Sequence, residues 1–81
     1  MLILIENLPD TVSEDQIMQL ISRYDSGAGI TLIRNIAEPD CCSCLVTLTV
    51  TSHVVVNLIA TQLDGLYWQG VQLSAHRLLF G

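Results

Sequence analysis

The run Leu2-Ile3-Leu4-Ile5, closed by Asn7-Leu8-Pro9 and followed by Ser13-Glu14-Asp15-Gln16, constrains this chain more than any other feature. Four apolar residues ending in a turn signal make a buried strand. Ser13 with Gln16 three residues later is a capping-box signature, and Glu14 and Asp15 stand where a helix dipole favours negative charge. Ile17, Leu20, Ile21 and Tyr24 then recur at helical spacing until Asp25, Ser26, Gly27 and Gly29 stop the helix. The chain thus begins as strand and helix.

The remaining pattern supplies four more elements. Ile30 to Ile36 is strand-like, and Glu38-Pro39-Asp40 is a turn. Cys44 to Val50 alternates, with Cys44, Val46 and Leu48 on one face and Leu45, Thr47 and Thr49 on the other. Val54-Val55-Val56 is β-branched and by propensity alone would continue a strand. Ser52 can cap, however, and Val55, Leu58, Ile59, Gln62 and Leu63 keep a helical period until Gly65 ends it, so this segment reads as a helix. A last strand, Val71 to Ala75, follows Gly70. The expected fold class is α+β: a ferredoxin-like βαββαβ sandwich, a four-stranded antiparallel sheet with two helices on one face. Eighty-one residues allow a single domain spanning 1–81, and 51% hydrophobic against 14% charged residues is a globular composition.

Charge limits the partners. Eight Asp or Glu stand against three arginines, Arg23, Arg34 and Arg77, and no lysine, for a net charge of −5. Affinity for a polyanion comes mainly from Lys and Arg displacing counterions, so this balance disfavours RNA and anionic membranes alike. The apolar opening has no basic flank, and the apolar stretch from Cys44 to Ile59 is broken by Thr, Ser, His and Asn. A soluble intracellular protein without membrane contact is the expectation.

With this element order in place, the chain resembles an RNA recognition motif (RRM) domain over nearly its whole length. Ile3 to Leu8 is similar to the family's first ribonucleoprotein motif, and Asp15 to Tyr24 to its first helix. Ser52 to Gly65 resembles the second helix, ending in Leu63-Asp64-Gly65 where Leu-Asn-Gly is common. The second ribonucleoprotein motif aligns as Cys41 to Leu48. The resemblance implies a sheet that stacks bases on aromatic rings. At the three stacking positions this sequence has Leu4, Ser43 and Leu45, and Cys41 replaces a basic residue expected to touch phosphate. Stacking contributes roughly 1 to 3 kcal/mol per base, so both usual sources of RNA affinity are removed.

What remains on the sheet is Leu4, Ser43, Leu45 and Thr47, with Glu6 nearby and Gln72, Ser74 and His76 on the neighbouring edge strand. An apolar centre with a polar border fits a protein contact better than a phosphate track. Alternatively, Leu78, Leu79 and Phe80 fold over the sheet and cover it. Val54 and Val56, at helix positions usually polar in the family, form a second possible surface for a partner or a homodimer, or else loose packing at the helix start. A third possibility comes from RRM variants that bind tryptophan-containing peptides through an Arg-x-Phe segment beside an acidic first helix. Trp68 would stand for the Phe and Glu14 and Asp15 for the acids, but Leu66 replaces the Arg, and the preferred reading of Trp68 is that it closes one end of the core.

Catalytic and cofactor chemistry finds no footing. His53 and His76 are isolated from any partner set for a triad, Glu14-Asp15 is a helix N-terminal pair, and no phosphate-binding glycine loop occurs. Cys41, Cys42 and Cys44 lack the paired spacing of a zinc site, and their odd count argues against a disulfide scaffold. The expectation is therefore a non-enzymatic binding module without cofactor or metal. It binds a protein partner or a second copy, or, as the alternative, single-stranded RNA weakly.

Overall fold

Strand β1, Leu2–Pro9, lies inside the sheet, pairing antiparallel with β3, Cys41–Thr47, on one side and with β6, Ser74–Leu78, on the other. The computed structural model that shows this describes residues 1–34 and 41–78. Strand β2, Gly29–Arg34, pairs antiparallel with β3, so the sheet order is β2-β3-β1-β6. Helices α1, Glu14–Ile21, and α2, His53–Leu63, complete the expected βαββαβ sandwich. A short hairpin of β4, Tyr67–Trp68, and β5, Val71–Gln72, is added before β6.

The core follows from alternation. Ile3 pairs with Val46 and Ile5 with Cys44, and all four are fully buried against the helices. From α1 come Ile17, Leu20 and Ile21; from α2 come Val56, Ile59, Ala60 and Leu63. The capping box of α1 is formed in both directions, Ser13 Oγ accepting from the Gln16 N–H at 3.3 Å and Gln16 Oε1 from the Ser13 N–H at 3.0 Å. Ser52 caps α2 by accepting the Val55 N–H at 3.4 Å. Gly65, at φ +82, takes the left-handed conformation that ends this helix.

Four expectations are corrected. First, β1 does not stop at Ile5: a bulge between Ile5 and Leu8, with Asn7 at φ 66, lets pairing resume at Leu8 and Pro9. Asn tolerates that conformation, and its side-chain amide donates to the Gln72 carbonyl at 2.8 Å. Second, the final sheet strand is Ser74–Leu78, not Val71 to Ala75. Gln69 and Gly70, both at positive φ, turn Val71 and Gln72 back onto Trp68 and Tyr67 instead. Third, Val55 and Leu58 are exposed, and the buried stripe of α2 runs through Val56, Ile59, Ala60 and Leu63. Both stripes are apolar with helical period, so only packing could select between them. Fourth, Val56 is in consequence fully buried and cannot belong to an outer surface with Val54. The expected turn at Glu38-Pro39-Asp40 lies outside the described residues.

Asp25 has a part in the fold that its place in a helix-stop signal did not indicate. Its Oδ2 accepts the Thr49 N–H at 2.6 Å, its Oδ1 accepts the Thr49 hydroxyl at 2.7 Å, and its Oδ1 also accepts the Gly27 N–H at 3.1 Å. The carboxylate thereby ties the loop after α1 to the chain leaving β3. The Thr49 hydroxyl first, then the Thr49 N–H, hold its pKa below the ordinary value of 3.8 against the opposing effect of burial. A depressed folded-state pKa contributes stability that is present above the unfolded value and is lost as pH falls through the folded one. Thr49→Val should destabilise by about 1 to 2 kcal/mol, leaving a carboxylate short of a donor. It should also flatten the fall in stability below about pH 4, as urea titrations across pH will show.

Candidate nucleic-acid or protein interface on the outer sheet face

The residues that alternate with the core strand positions form the outer face of the sheet. Leu4 pairs with Leu45 on one side and His76 on the other, and Thr31 lies beyond Leu45, giving a row of Thr31, Leu45, Leu4 and His76. A second row, Gly29, Thr47, Leu2 and Leu78, runs parallel to it. Ile33 beside Ser43, and Glu6 beside Ser74, lie at the other end of the face. Leu2, Leu4, Leu45 and Leu78 are each half-buried, Thr47 and His76 are exposed, and Ile33 is 45% exposed. Leu78 is thus part of this surface; Leu79 and Phe80, expected as a cover, lie outside the described residues.

Of the expected sheet-face residues, Leu4, Glu6, Ser43, Leu45, Thr47, Ser74 and His76 all fall on this side. Gln72 does not. It sits in β5, donating through its side chain to the Gly65 carbonyl at 3.2 Å. Sequence reasoning missed Leu2, Thr31 and Ile33, which join the face through the pairing register; alternation within Ile30 to Ile36 carried that signal, without showing which side faced out.

No arginine stands on the outer face. Arg34 pairs with Cys42, and Arg77 with Ile3, both at inward-facing positions of their strands, and Arg23 follows α1 in the helix layer. The Arg34 guanidinium is also occupied, donating to the Asp10 carbonyl at 2.7 Å and the Val12 carbonyl at 3.3 Å. It holds the loop between β1 and α1.

The polar edge of the face is a small cluster. His76 Nε2 is 3.1 Å from Ser74 Oγ and 3.6 Å from Glu6 Oε1. Both neighbours approach the same ring nitrogen, whereas a proton relay needs the nucleophile and the orienting carboxylate on opposite nitrogens. The cluster can orient polar groups of a partner. It is not arranged as a triad.

Other expected sites are taken apart. Val54 is 76% exposed while Val56 is in the core, so they share no surface. Glu14 and Asp15 are exposed at the start of α1, and Trp68 is partly buried against the core. The nearby cleft, lined by Pro9, Thr11, Val12, Gln16 and Gln69, encloses about 80 Å³. Ligand pockets run to roughly 300 to 1,000 Å³. A wider groove of about 390 Å³ runs along α2 and β6, lined in part by Asn57, Thr61, Asp64 and Arg77, but it is open, and Asp64 Oδ1 already accepts the Ala75 N–H at 3.1 Å.

The described cysteines are structural in their setting. Cys42 and Cys44 are buried, the Cys42 thiol donating to the Pro9 carbonyl at 3.2 Å, and burial pushes the Cys44 thiol up to about 11. Among the described residues, no group of three or more His, Cys, Asp or Glu could hold a metal ion, and no helix is long and apolar enough to cross a membrane.

Solved structures that the chain resembles include RRM domains. The chain superposes on the RRM3 domain of Pes4 with a TM-score of 0.78 at 21% identity, covering 99% of this chain and 93% of that one. It matches the RRM3 domain of Mip6 with a TM-score of 0.76 at 13% identity, covering 93% and 89%. No protein-family model matches the sequence, and no curated protein matches it either. The protein is an RRM-like domain by fold.

Two outcomes test the account of the thiols. In the folded protein Cys42 and Cys44 should resist alkylation at about pH 8 over times at which the unfolded chain reacts fully. Cys44→Ser should cost about 1 to 2 kcal/mol by burying a hydroxyl in an apolar site. Stoichiometric zinc in carefully purified protein, lost in Cys42→Ser and Cys44→Ser alike, would refute it.

Proposed function

We propose that this RRM-like domain is a non-catalytic module that binds a protein through its outer sheet face, centred on Leu4 and Leu45. One observation carries the reading. The two leucines lie abreast on the central strands, where the fold ordinarily offers rings to bases, while all three arginines are placed away from that face. A partner burying both side chains gains roughly 3 to 6 kcal/mol before association costs, whereas a nucleic acid meets neither stacking surface nor counter-charge. Glu6, Ser74 and His76 form a polar rim of the kind that surrounds an apolar contact. Buried reduced thiols fit an intracellular setting.

The alternative is weak single-stranded RNA recognition through loops or backbone groups, favoured only by the fold's kinship with RRM domains. A titration separates the two. Mixed single-stranded RNA oligomers should bind with a dissociation constant weaker than about 100 μM near physiological salt. Submicromolar binding that weakens steeply with added salt would reverse the ranking. Leu45→Glu should leave the fold intact, because the side chain points away from the helices, and should remove partner binding; retention of partner binding by a folded Leu45→Glu variant would exclude this face.

A further inference from the structure

The two edges of the four-stranded sheet are finished differently. At the β6 edge Asp64 Oδ1 takes the Ala75 N–H at 3.1 Å, so a side chain occupies part of that edge. The opposite edge is β2, with the sequence Gly-Ile-Thr-Leu-Ile-Arg. Strand edges are normally blunted by proline, lysine, a bulge or a covering segment, because their free N–H and C=O groups recruit other strands. β2 has neither proline nor lysine, and its register with β3 runs unbroken from Gly29 opposite Thr47 to Arg34 opposite Cys42. Its one charged residue, Arg34, has its guanidinium drawn to the Asp10 and Val12 carbonyls. We propose that β2 is a docking edge that takes an extended, basic segment of another protein as a fifth, antiparallel strand.

The bonding parity of the sheet identifies the groups that hold this segment. Because the Ala75 N–H goes to Asp64, β6 bonds to β1 through Ser74, His76 and Leu78, opposite Glu6, Leu4 and Leu2. Bonding direction alternates along an antiparallel strand, so Ile3 and Ile5 turn their main-chain groups toward β3. The same alternation turns Ser43, Leu45 and Thr47 toward β2, where they meet Ile33, Thr31 and Gly29. The N–H and C=O of Ile30 and Leu32 therefore point out of the sheet. Among the described residues, nothing donates to these groups or accepts from them.

Those groups select the occupant. Two donors and two acceptors recurring every second residue, about 7 Å apart, match the repeat of another extended main chain. A helix uses its own N–H and C=O groups internally and cannot answer them. Side chains set the pattern of the added strand. Its residues opposite Ile30 and Leu32 share the inward side, where both are half-buried against the core, so that set is apolar. Its residues opposite Thr31 and Ile33 continue the outer side and cover part of Ile33, which is 45% exposed. The outer end of β2 is open as well, since a Cβ at Gly29 would meet nothing within 4 Å. At a net charge of −5 and without lysine, the protein attracts a segment that is basic at these outward positions, and it repels the β2 edge of a second copy. The edge is a surface separate from Leu4 and Leu45, so this inference does not rest on what binds the sheet face.

Amide exchange followed by NMR tests it, first on the free protein. Ile30 and Leu32 should exchange rapidly while Thr31 and Ile33, bonded to β3, are protected. The probe is then a synthetic peptide of about nine residues in which Val and Lys alternate, a length within the ordinary range of strands. It should bind with a dissociation constant below about 500 μM and protect the Ile30 and Leu32 amides. N-methylation of its valines, whose N–H groups face β2, should weaken binding at least about tenfold, whereas methylation of its lysines should be tolerated. A Glu-Val peptide of the same length should bind at least about tenfold more weakly. Protection of Ile30 and Leu32 in the free protein overturns the proposal, as does failure of the Lys-Val peptide to bind at about 1 mM. Equal sensitivity to the two methylations, or equal binding of the Glu-Val peptide, overturns it too. So do shift changes confined to Leu4, Leu45 and His76, or to Ala75 and Arg77, which would place the peptide on the outer face or in the groove beside α2.

Discussion

The antiparallel register of β1 on β3 is the constraint on which the rest depends. Ile3 opposite Val46 and Ile5 opposite Cys44 turn four apolar side chains toward the helices, and the same alternation turns Leu4 and Leu45 outward as a pair. A slip of one residue would exchange the two sets, burying Leu4 with the polar Glu6 and exposing the isoleucines. Core and candidate interface are thus two sides of one pairing. The bulge at Asn7 preserves both, because it absorbs the irregularity before Leu8, which returns to the core fully buried.

The parts of the fold legible in the sequence were those written in local, redundant signals. The capping box at Ser13 and Gln16, the Ser52 cap and the Gly65 terminus each rest on one or two residues with a specific backbone need, and each is formed. The central strands were legible because alternation and apolar content agreed, but β3 spans Cys41–Thr47 and not Cys44 to Val50, since the chain leaves the sheet at Leu48 and Thr49 donates to Asp25 instead of joining the outer face. Where two readings were equally apolar, the sequence did not decide. The helix α2 offers Val54, Val55 and Val56 in succession, and placing Val56 inward requires knowing how the helix is rotated against Ile59, Ala60 and Leu63. The β4–β5 hairpin was missed because its turn uses Gln69 at positive φ, a residue that does not advertise that conformation.

The candidate surface was legible for the same reason the core was, and incomplete for another. Leu4, Glu6, Ser43, Leu45 and Thr47 follow from alternation along single strands. For Thr31 and Ile33 local alternation separates the two sides of the strand, but which side faces out depends on its pairing with β3 and the register, a long-range fact. Asp25 is the sharpest case. As a residue in a turn-rich stretch it looked like a helix stop, yet its carboxylate gathers donors from Gly27 and from Thr49, 24 positions away. Such anchors appear only when distant segments meet.

The two sides of the sheet answer to different requirements. Packing density acts on Ile3, Ile5, Cys44 and Val46, where a change of one methylene is felt, while Leu4, Ser43 and Leu45 support no helix and can change character without loosening the core. A chain can therefore share its fold with RRM domains at 13% to 21% identity while its outward residues take a character of their own. Likeness of fold then carries information about the inward residues and none about the ligand. The outward residues have to be read on their own chemistry, and here that chemistry is two leucines abreast, a single acid and histidine at the rim, and every arginine held on the other side of the sheet.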